Sequence, residues 1–324
     1  MVIMDQLISI VLPVFNEEAG IKATIDTLLN YVEQQKERYE LIFVDDGSKD
    51  DSVKIIERSM QQNENIKLVK FSRNFGHQLA ITAGLQYTTG EAVVVMDADL
   101  QDPPEVIPEM IQKWHEGYDI VYGKRIKRDG ETIFKKITAS AFYRIFKKMA
   151  TIDMPLDTGD FRLMNRRAVN QLLKLHEQDP FVRGQVTWIG FKQTSVMYHR
   201  QERIAGETKY PLSKMIKLAL DGITSFSMKP LQFANIFSVV PIVSGIFSLG
   251  YLLISRNYSL SSIGITILLF TLGLLLLSVG ILGSYLGRVL EQVNDRPRFI
   301  VSETEGFQER NKGIRHLHAK QSHS

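Results

Sequence analysis

The stretch Val93–Pro104, VVVMDADLQDPP, joins an apolar run to three aspartates and ends in two prolines. The unbroken apolar run predicts a strand that is covered on both faces. Asp97, Asp99 and Asp102 follow at the point where this strand ends. Carboxylates so close in sequence repel one another unless a cation lies among them, and oxygen ligands suit Mg²⁺ or Mn²⁺. The stretch therefore predicts a divalent-cation site at the end of a buried strand.

Similar apolar runs occur on both sides of this strand. LISIVLPVF, YELIFVDD and NIKLVKF precede it, and YDIVYGKR follows it. The segments between the runs have apolar residues at helical spacing, as in Ile21, Ile25, Leu28 and Val32. This alternation predicts an α/β fold with a mostly parallel sheet and helices on both faces.

Polar residues follow each predicted strand. In such sheets ligands bind at the carboxyl ends of the strands. Those ends carry Asn16 and Glu17, Asp45 and Asp46, Arg73 and Asn74, Asp97 and Asp99, and Lys124 and Arg125. The glycine patterns G-x-G-x-x-G and G-x-x-x-x-G-K-[ST] do not occur in the sequence, so a nucleotide would have to be held in another way.

Composition excludes several classes of protein. The chain has 324 residues, a formal net charge of +3 and no cysteine. The small net charge gives no reason to expect a nucleic-acid partner, and disulfides and cysteine-ligated zinc are excluded. The amino terminus lacks a basic region and a cleavage site, so it is interpreted as a first strand and not as a signal peptide.

The C-terminal part of the chain is strongly apolar. Between Leu231 and Gly287 the only charged residue is Arg256, and two apolar runs cover residues 233–254 and 263–286. Each run is long enough to cross a hydrocarbon core of about 30 Å as a helix. A pair of buried core helices is the alternative. The runs predict a two-helix transmembrane hairpin, and the Lys and Arg outside it place both termini in the cytoplasm.

Two basic amphipathic segments lie outside the hairpin. Residues 126–153 interleave aromatic and basic side chains, which suits the headgroup layer of a membrane, although an ordinary surface helix remains an alternative. Residues 211–230 predict a juxtamembrane amphipathic helix. The predicted organisation is thus a cytoplasmic α/β domain (1–210), the amphipathic helix (211–230), two transmembrane helices (231–287) and a polar cytoplasmic tail (288–324).

Seven motifs in this order resemble those of the polyprenyl-phosphate glycosyltransferases. They are VLPVFNEE, FVDDGSKD, SRNFGH, DADLQDPP, GYDIVYGKR, TGDFRLM and GETKYP. The resemblance runs from about Ile8 to Arg298 and includes dolichol-phosphate mannose synthase. The bactoprenol glucosyltransferase branch is the closer match, and it shares the two-helix anchor. Each motif alone is unspecific, whereas the ordered set is highly specific.

The resemblance implies a GT-A fold and an inverting, metal-dependent transferase in the plasma membrane. Its donor would be a UDP-sugar such as UDP-glucose, its acceptor polyprenyl (undecaprenyl) phosphate, and its product a sugar carrier for cell-surface glycan modification. It also implies a homotetramer that uses Mg²⁺ or Mn²⁺.

The resemblance also assigns residues to four groups. Asp160, Arg125 and Arg203 would be catalytic, and Asp97, Asp99 and Gln101 would hold the metal. The nucleotide sugar would contact Pro13, Asn16, Glu17, Asp45, Asp46, Arg73, Asp97 and Lys209. The lipid phosphate would contact Lys124, Arg125, Lys135, Lys136, Ser140 and Arg162.

Physical chemistry limits the possible roles of Asp160 and Asp102. A phosphate monoester has a second pKa of about 6, so the acceptor is mostly a dianion at neutral pH and needs no strong general base. Asp160 would then orient the acceptor or take a residual proton. Asp102 has two interpretations: it supports the preceding loop, or it caps the helix that begins with PPEVIPEM.

Other functions remain as alternatives at this point. UDP-N-acetylglucosamine or GDP-mannose could serve as the donor to the same acceptor. A processive polysaccharide synthase would need a translocation channel, for which two helices per chain are too few. A non-catalytic lipid-binding membrane protein would have no need for Asp97 and Asp99.

Overall fold

The structure is a computed structural model that describes residues 6–126, 158–178, 180–200, 260–293 and 296–307. These residues fall into two compact units. One unit holds the sheet with its helices, and the other contains residues 260–293. Each unit is described by itself.

The first unit has an eight-stranded sheet. Its strands are β1 (Leu7–Val14), β2 (Arg38–Asp45), β3 (Ile66–Phe71), β4 (Ala92–Val95), β5 (Ile120–Arg125), β6 (Thr158–Asn165), β7 (Gln193–Tyr198) and β8 (Val301–Glu305). The spatial order is β7-β5-β6-β4-β1-β2-β3-β8. Strands β6 and β8 run antiparallel to their neighbours, and the other pairings are parallel. The mostly parallel sheet predicted from the sequence is confirmed.

Helices follow most of the strands. They are α1 (Ile21–Glu33), α2 (Ser52–Met60), α3 (His77–Tyr87), α4 (Ile107–His115), which a 3₁₀ turn at Pro104–Val106 precedes, α5 (Arg166–Leu172) and α6 (Val182–Trp188). Helix α6 was not predicted, because its seven residues have too little periodicity to stand out.

The sheet separates two hydrophobic layers, because successive side chains of a strand point to opposite faces. Ile10 and Leu12 of β1 pack with Leu28 of α1 in one layer. Val11 of β1 packs with Ile81 of α3 in the other. This double coverage accounts for the unbroken apolar runs from which the strands were predicted.

The C-terminal segment differs from its prediction. The sequence suggested a polar tail after the apolar region, yet Val301–Glu305 forms β8 and pairs with β3. Glu303 and Glu305 reach Lys70 of β3, with 3.1 Å between Nζ and the Glu305 carboxylate. A polar edge strand of five residues has no hydrophobic pattern, so the sequence alone does not reveal it.

The second unit contains α7 (Leu260–Val293), a helix of 34 residues that includes the second apolar run. Its leucines are largely exposed, as at Leu268, Leu276 and Leu286. Within the described ranges, no helix meets the length and apolarity required of a membrane span. The first apolar run and both basic amphipathic segments lie outside the described residues, so the transmembrane hairpin stays a prediction.

Candidate active site

The loops that follow β1 and β2 are tied to each other. Asn16 has a φ of 52°, a left-handed conformation that asparagine tolerates better than most residues. Its side-chain oxygen accepts a hydrogen bond from the backbone N–H of Lys49 at 2.8 Å. Asp45 accepts one from the N–H of Ser48 at 3.1 Å, and burial raises the pKa of Asp45. Asn16 and Asp45 therefore shape this edge of the sheet.

Asp46 organises the loop that follows β3. Its buried carboxylate accepts hydrogen bonds from Asn74 Nδ2 at 2.9 Å, from the Phe75 N–H at 2.7 Å and from the Gly76 N–H. Burial raises the pKa of Asp46, against the effect of these donors. The side chain of Arg73 in this loop lies over the ring of Phe75, with 3.9 Å between the guanidinium carbon and the ring centre.

The loop after β4 forms a tight turn around the paired aspartates. Asp99 Oδ1 accepts a hydrogen bond from the Gln101 N–H at 3.1 Å, and Leu100 has a φ of 54°. Thr24 of α1 donates to the carbonyl of Ala98 at 2.7 Å. These contacts hold Asp97 and Asp99 at the carboxyl end of the strand, where the sequence placed them.

Asp160 of β6 lies among positive side chains. His77 Nε2 is 3.3 Å from Asp160 Oδ2, and Gln78 donates to the same oxygen at 3.2 Å. Arg183 Nε is 3.5 Å from Oδ1, and Arg162 Nη2 is 3.8 Å from it. The side chain of Asp160 is 13% exposed, so these partners act in a partly dehydrated environment.

His77 also contacts Asp97, with 3.6 Å between Nε2 and Oδ1. Burial lowers the pKa of His77, but Asp160 and Asp97 outweigh it and raise that pKa to about 9. Burial raises the pKa of Asp160, yet Arg183, His77 and Arg162 hold it well below the usual range. The histidine is thus an imidazolium between two carboxylates at neutral pH.

The pKa of Asp97 is raised, whereas that of Asp160 is lowered. Burial, opposed by His77, and the charges of Asp102, Asp160 and Asp99 raise the pKa of Asp97 to about 6. Such mutual repulsion is what a bound divalent cation relieves, so Asp97 and Asp99 fit Mg²⁺ or Mn²⁺. The described ranges contain no group of three or more acidic or histidine residues arranged to hold an ion. Two carboxylates suit Mg²⁺, which completes its coordination with waters and substrate phosphates.

Asp102 is not the cap of the following helix. The residue before the 3₁₀ turn is Pro103, and α4 begins after Val106 with no side-chain cap. The Asp102 carboxylate is fully buried and accepts a hydrogen bond from the Tyr198 hydroxyl. Of the two interpretations, the helix cap is therefore wrong, and Asp102 supports the loop.

Arg162 lies inside the protein, and its predicted contact with the lipid phosphate stays a prediction. It is 4% exposed, and it donates hydrogen bonds to the carbonyls of Gly159 at 2.8 Å and of Asp160 at 3.2 Å. Burial lowers the pKa of Arg162 to about 10. Its guanidinium supports the backbone beneath Asp160.

The other predicted residues divide into two sets. Pro13, Glu17, Lys124 and Arg125 lie at the carboxyl ends of β1 and β5, as expected. Lys135, Lys136, Ser140, Arg203 and Lys209 lie outside the described residues, so their predicted roles are untested. Sequence reasoning missed His77, Gln78, Arg183 and Tyr198, although His77 ends the motif SRNFGH.

Residues 9–173 match the model of a family described as glycosyl transferase family 2. The uncharacterized glycosyltransferase YkcC of Bacillus subtilis is 50% identical over 305 residues, 93% of this chain and 94% of the relative. A prophage bactoprenol glucosyl transferase homolog of Escherichia coli is 38% identical, over 91% of this chain and 98% of the relative. Glucosyl-3-phosphoglycerate synthase of Mycobacterium tuberculosis, solved with Mn²⁺ and UDP, covers 67% of this chain and 77% of its own at 22% identity. Its TM-score is 0.45.

Proposed function

The chain belongs to glycosyl transferase family 2, and we propose that it transfers a hexose from a UDP-sugar to polyprenyl phosphate with inversion. The acceptor class is supported by relatives named bactoprenol glucosyl transferase, which are 38% and 37% identical over 91% and 92% of this chain. The same names favour glucose as the hexose. The product would be a lipid-linked sugar for the modification of cell-surface glycans.

One observation carries the proposal. The Nε2 atom of His77 lies 3.6 Å from Asp97 and 3.3 Å from Asp160. Asp97 belongs to the carboxylate pair expected for the sugar diphosphate, and Asp160 belongs to the motif expected beside the acceptor. A single imidazole contacts both carboxylates. A donor held at Asp97 and an acceptor held at Asp160 would therefore lie close enough for a bond to form between them.

The proposed reaction needs little proton transfer. A phosphate oxygen of the acceptor attacks the anomeric carbon, a C–O bond forms on one face, and the C–O bond to the UDP diphosphate breaks on the opposite face. The acceptor is mostly a dianion at neutral pH, since its second pKa is about 6. The pKa of Asp160 is lowered, which makes it a poor proton acceptor. We therefore assign Asp160 to fixing His77 and Arg183 around the acceptor.

The leaving diphosphate makes the larger demand on the site. Asp97 and Asp99, with Gln101, would hold Mg²⁺ or Mn²⁺, which when bound neutralises charge on the departing oxygens. Beside that position the protein itself supplies positive charge from His77, whose Nε2 lies 3.6 Å from Asp97 Oδ1.

We place the reaction at the cytoplasmic face of the plasma membrane. A polyprenyl phosphate stays in the bilayer, so its transferase must work at the interface. Tethering through the apolar runs at residues 233–254 and 263–286 would raise the local concentration of the acceptor. The exposed leucines of α7 agree with an apolar surrounding for that helix.

The test is a reaction of the purified full chain in detergent with undecaprenyl phosphate and labelled UDP-glucose, UDP-N-acetylglucosamine or GDP-mannose. We expect organic-extractable label from UDP-glucose, its loss in EDTA and its recovery with Mg²⁺ or Mn²⁺. Label from one of the other two donors would show that a different sugar is transferred and would leave the proposed acceptor unchanged. No label from any donor would contradict the transferase.

Asp99→Ala provides the matched test of the carboxylate pair. We expect it to reduce the label to background, because the leaving diphosphate loses its counter-charge. The control is Asp26→Ala, an aspartate of α1 whose side chain is 51% exposed and pairs with Lys22, and it should retain full activity. Full activity in Asp99→Ala would contradict the role of the carboxylate pair in holding the metal.

A further inference from the structure

Asp102 is a fully buried carboxylate for which the proposed reaction has no use. Its Oδ1 accepts a hydrogen bond from the Tyr198 hydroxyl. The same oxygen lies 3.8 Å from Arg125 Nη2 and 3.8 Å from Arg200 Nε. The loop after β4 is thereby joined to the carboxyl ends of β5 and β7.

Tyr198 links the carboxylate to one of the arginines. Its hydroxyl gives its only proton to Asp102 and accepts a hydrogen bond from Arg125 Nε at 3.2 Å. The buried ring packs edge-on against Phe161, with 5.5 Å between ring centres and 80° between planes. The tyrosine is thus held on both sides, and it restricts the guanidinium of Arg125 to one position.

Two glycines, which have no Cβ, provide the space that the side chains of Arg125 and Tyr198 occupy. A Cβ on Gly159 would lie 2.5 Å from Arg125 Nη2. A Cβ on Gly123 would lie 2.8 Å from the ring carbons of both Tyr198 and Phe161. Gly123 belongs to YDIVYGKR and Gly159 to TGDFRLM, so separate motifs of the sequence make space for the same cluster.

The charges of the cluster do not cancel. One carboxylate faces two guanidinium groups, which leaves one positive charge in excess. The side chains of Arg125 and Arg200 are 31% and 22% exposed, so each is open to solvent on one side. Each guanidinium has five N–H donors. In the cluster the Tyr198 hydroxyl accepts a hydrogen bond from Arg125 Nε, whereas Asp102 Oδ1 lies 3.8 Å from Arg125 Nη2 and from Arg200 Nε, beyond hydrogen-bond distance. The planar fork of arginine matches the oxygens of phosphate as it matches those of a carboxylate.

We propose that Asp102 and Tyr198 are positioning residues that hold Arg125 and Arg200 as a phosphate-binding pair. Arg200 and both positioning residues are thereby added to the site. The inference rests on the proposed function, in which two substrates carry phosphate: the lipid monoester and the sugar diphosphate.

The test measures kcat and the KM of each substrate for the full-length variants Asp102→Asn and Tyr198→Phe. We expect one KM to rise by about ten-fold while the other stays within about two-fold of the wild type. A rise in the lipid KM identifies the acceptor phosphate as the ligand, and a rise in the UDP-sugar KM identifies the diphosphate. Tyr198→Phe removes only a hydroxyl. It therefore still tests the positioning role if Asp102→Asn does not fold.

The matched control is Asp119→Asn. Asp119 is 3% exposed and is bound by Arg167 and Asn165, next to the opposite end of β5. Its replacement also removes a buried carboxylate, and both KM values should stay unchanged. Equal changes in both KM values of Asp102→Asn and Tyr198→Phe, or no change in either, would overturn the positioning role.

A double-mutant cycle separates action through Arg125 from a general loss of structure. Asp102→Asn is expected to raise one of the two KM values in the wild-type background. If Asp102 works through Arg125, the same substitution raises that KM much less in the Arg125→Ala background. Fully additive effects would contradict the proposal. A wild type without transferase activity would contradict the proposed function instead, so the two failures are distinguishable.

Discussion

The Asp160 carboxylate illustrates how single residues act in this site. It contacts His77 and Gln78 through one oxygen and Arg183 and Arg162 through the other. The sequence left it as either an orienting group or a proton acceptor. The surrounding cations lower its pKa and so favour the orienting role, because a weakly basic carboxylate does not hold a proton at neutral pH.

Gly159→Ala tests the close approach beside Asp160. The added Cβ would lie 2.5 Å from Arg125 Nη2, so the guanidinium must leave its position near Asp102 and Tyr198. We expect little change in melting temperature, since the end of an arginine side chain can move, but a fall in kcat/KM of about ten-fold or more.

Gly20→Ala is the control for this substitution. An added Cβ at Gly20 meets nothing within 4 Å, and activity should be unaffected. Wild-type activity in Gly159→Ala would show that the position of the Arg125 guanidinium is unimportant.

At the scale of elements, the family match and the strand order confirm the predicted GT-A type of α/β fold. Strand β6 is inserted antiparallel between β4 and β5, which brings Asp160 next to the loop that carries Asp97. The sequence predicted the strand in TGDFRLM but not its direction. Direction depends on which neighbours the strand pairs with, and the pairing is not local in sequence.

The attachment of β8 depends on Lys70. Its ammonium lies 3.0 Å from Glu57, and it also contacts Glu303 and Glu305 of β8. Lys70→Ala leaves three carboxylates facing one another, so we expect amide hydrogens of Val301–Glu305 to exchange about ten-fold faster. Lys113→Ala removes the partner of Glu116 on the surface of α4 and should leave this exchange unchanged. Unaltered exchange in Lys70→Ala would mean that the backbone ladder alone holds β8.

Glu40 connects neighbouring strands at the amino-terminal edge of the sheet. Its buried carboxylate accepts hydrogen bonds from Ser9 Oγ, from Lys67 and from the Thr89 N–H at 2.7 Å. Burial opposes these partners, but together they lower the pKa of Glu40. Its contribution to stability is therefore complete above its unfolded pKa of about 4.3 and is lost as the pH falls below that value.

Glu40→Gln should cost about 3 kcal/mol of unfolding free energy at pH 7, because Lys67 is left without its counter-charge. Between pH 7 and about pH 3 the wild type should lose more stability than the variant, as thermal unfolding at the two pH values will measure. Parallel losses in both proteins would exclude Glu40 as a source of the pH dependence.

At the scale of the whole molecule, the proposed acceptor requires attachment to a membrane. We expect the full chain to sediment with membranes and to resist extraction by alkaline carbonate, since two apolar runs would each be buried in hydrocarbon. A variant with Leu275, Leu276 and Leu277 changed to Lys should be released, whereas the same three residues changed to Ile should not. Recovery of the wild type in the soluble fraction would contradict the anchor. The homotetramer likewise stays a prediction.

The sequence by itself determined the α/β class, the five parallel strands from β1 to β5, and the carboxylates and arginines at their ends. Those features are local, since a strand covered on both faces must be apolar and its polar residues must fall at its end. Only the tertiary structure decided that His77 spans Asp97 and Asp160, that Arg162 is internal, and that Asp102 joins two arginines instead of capping a helix. These relations join residues far apart in the chain, and they depend on strand order and direction, which hydrophobic periodicity does not encode.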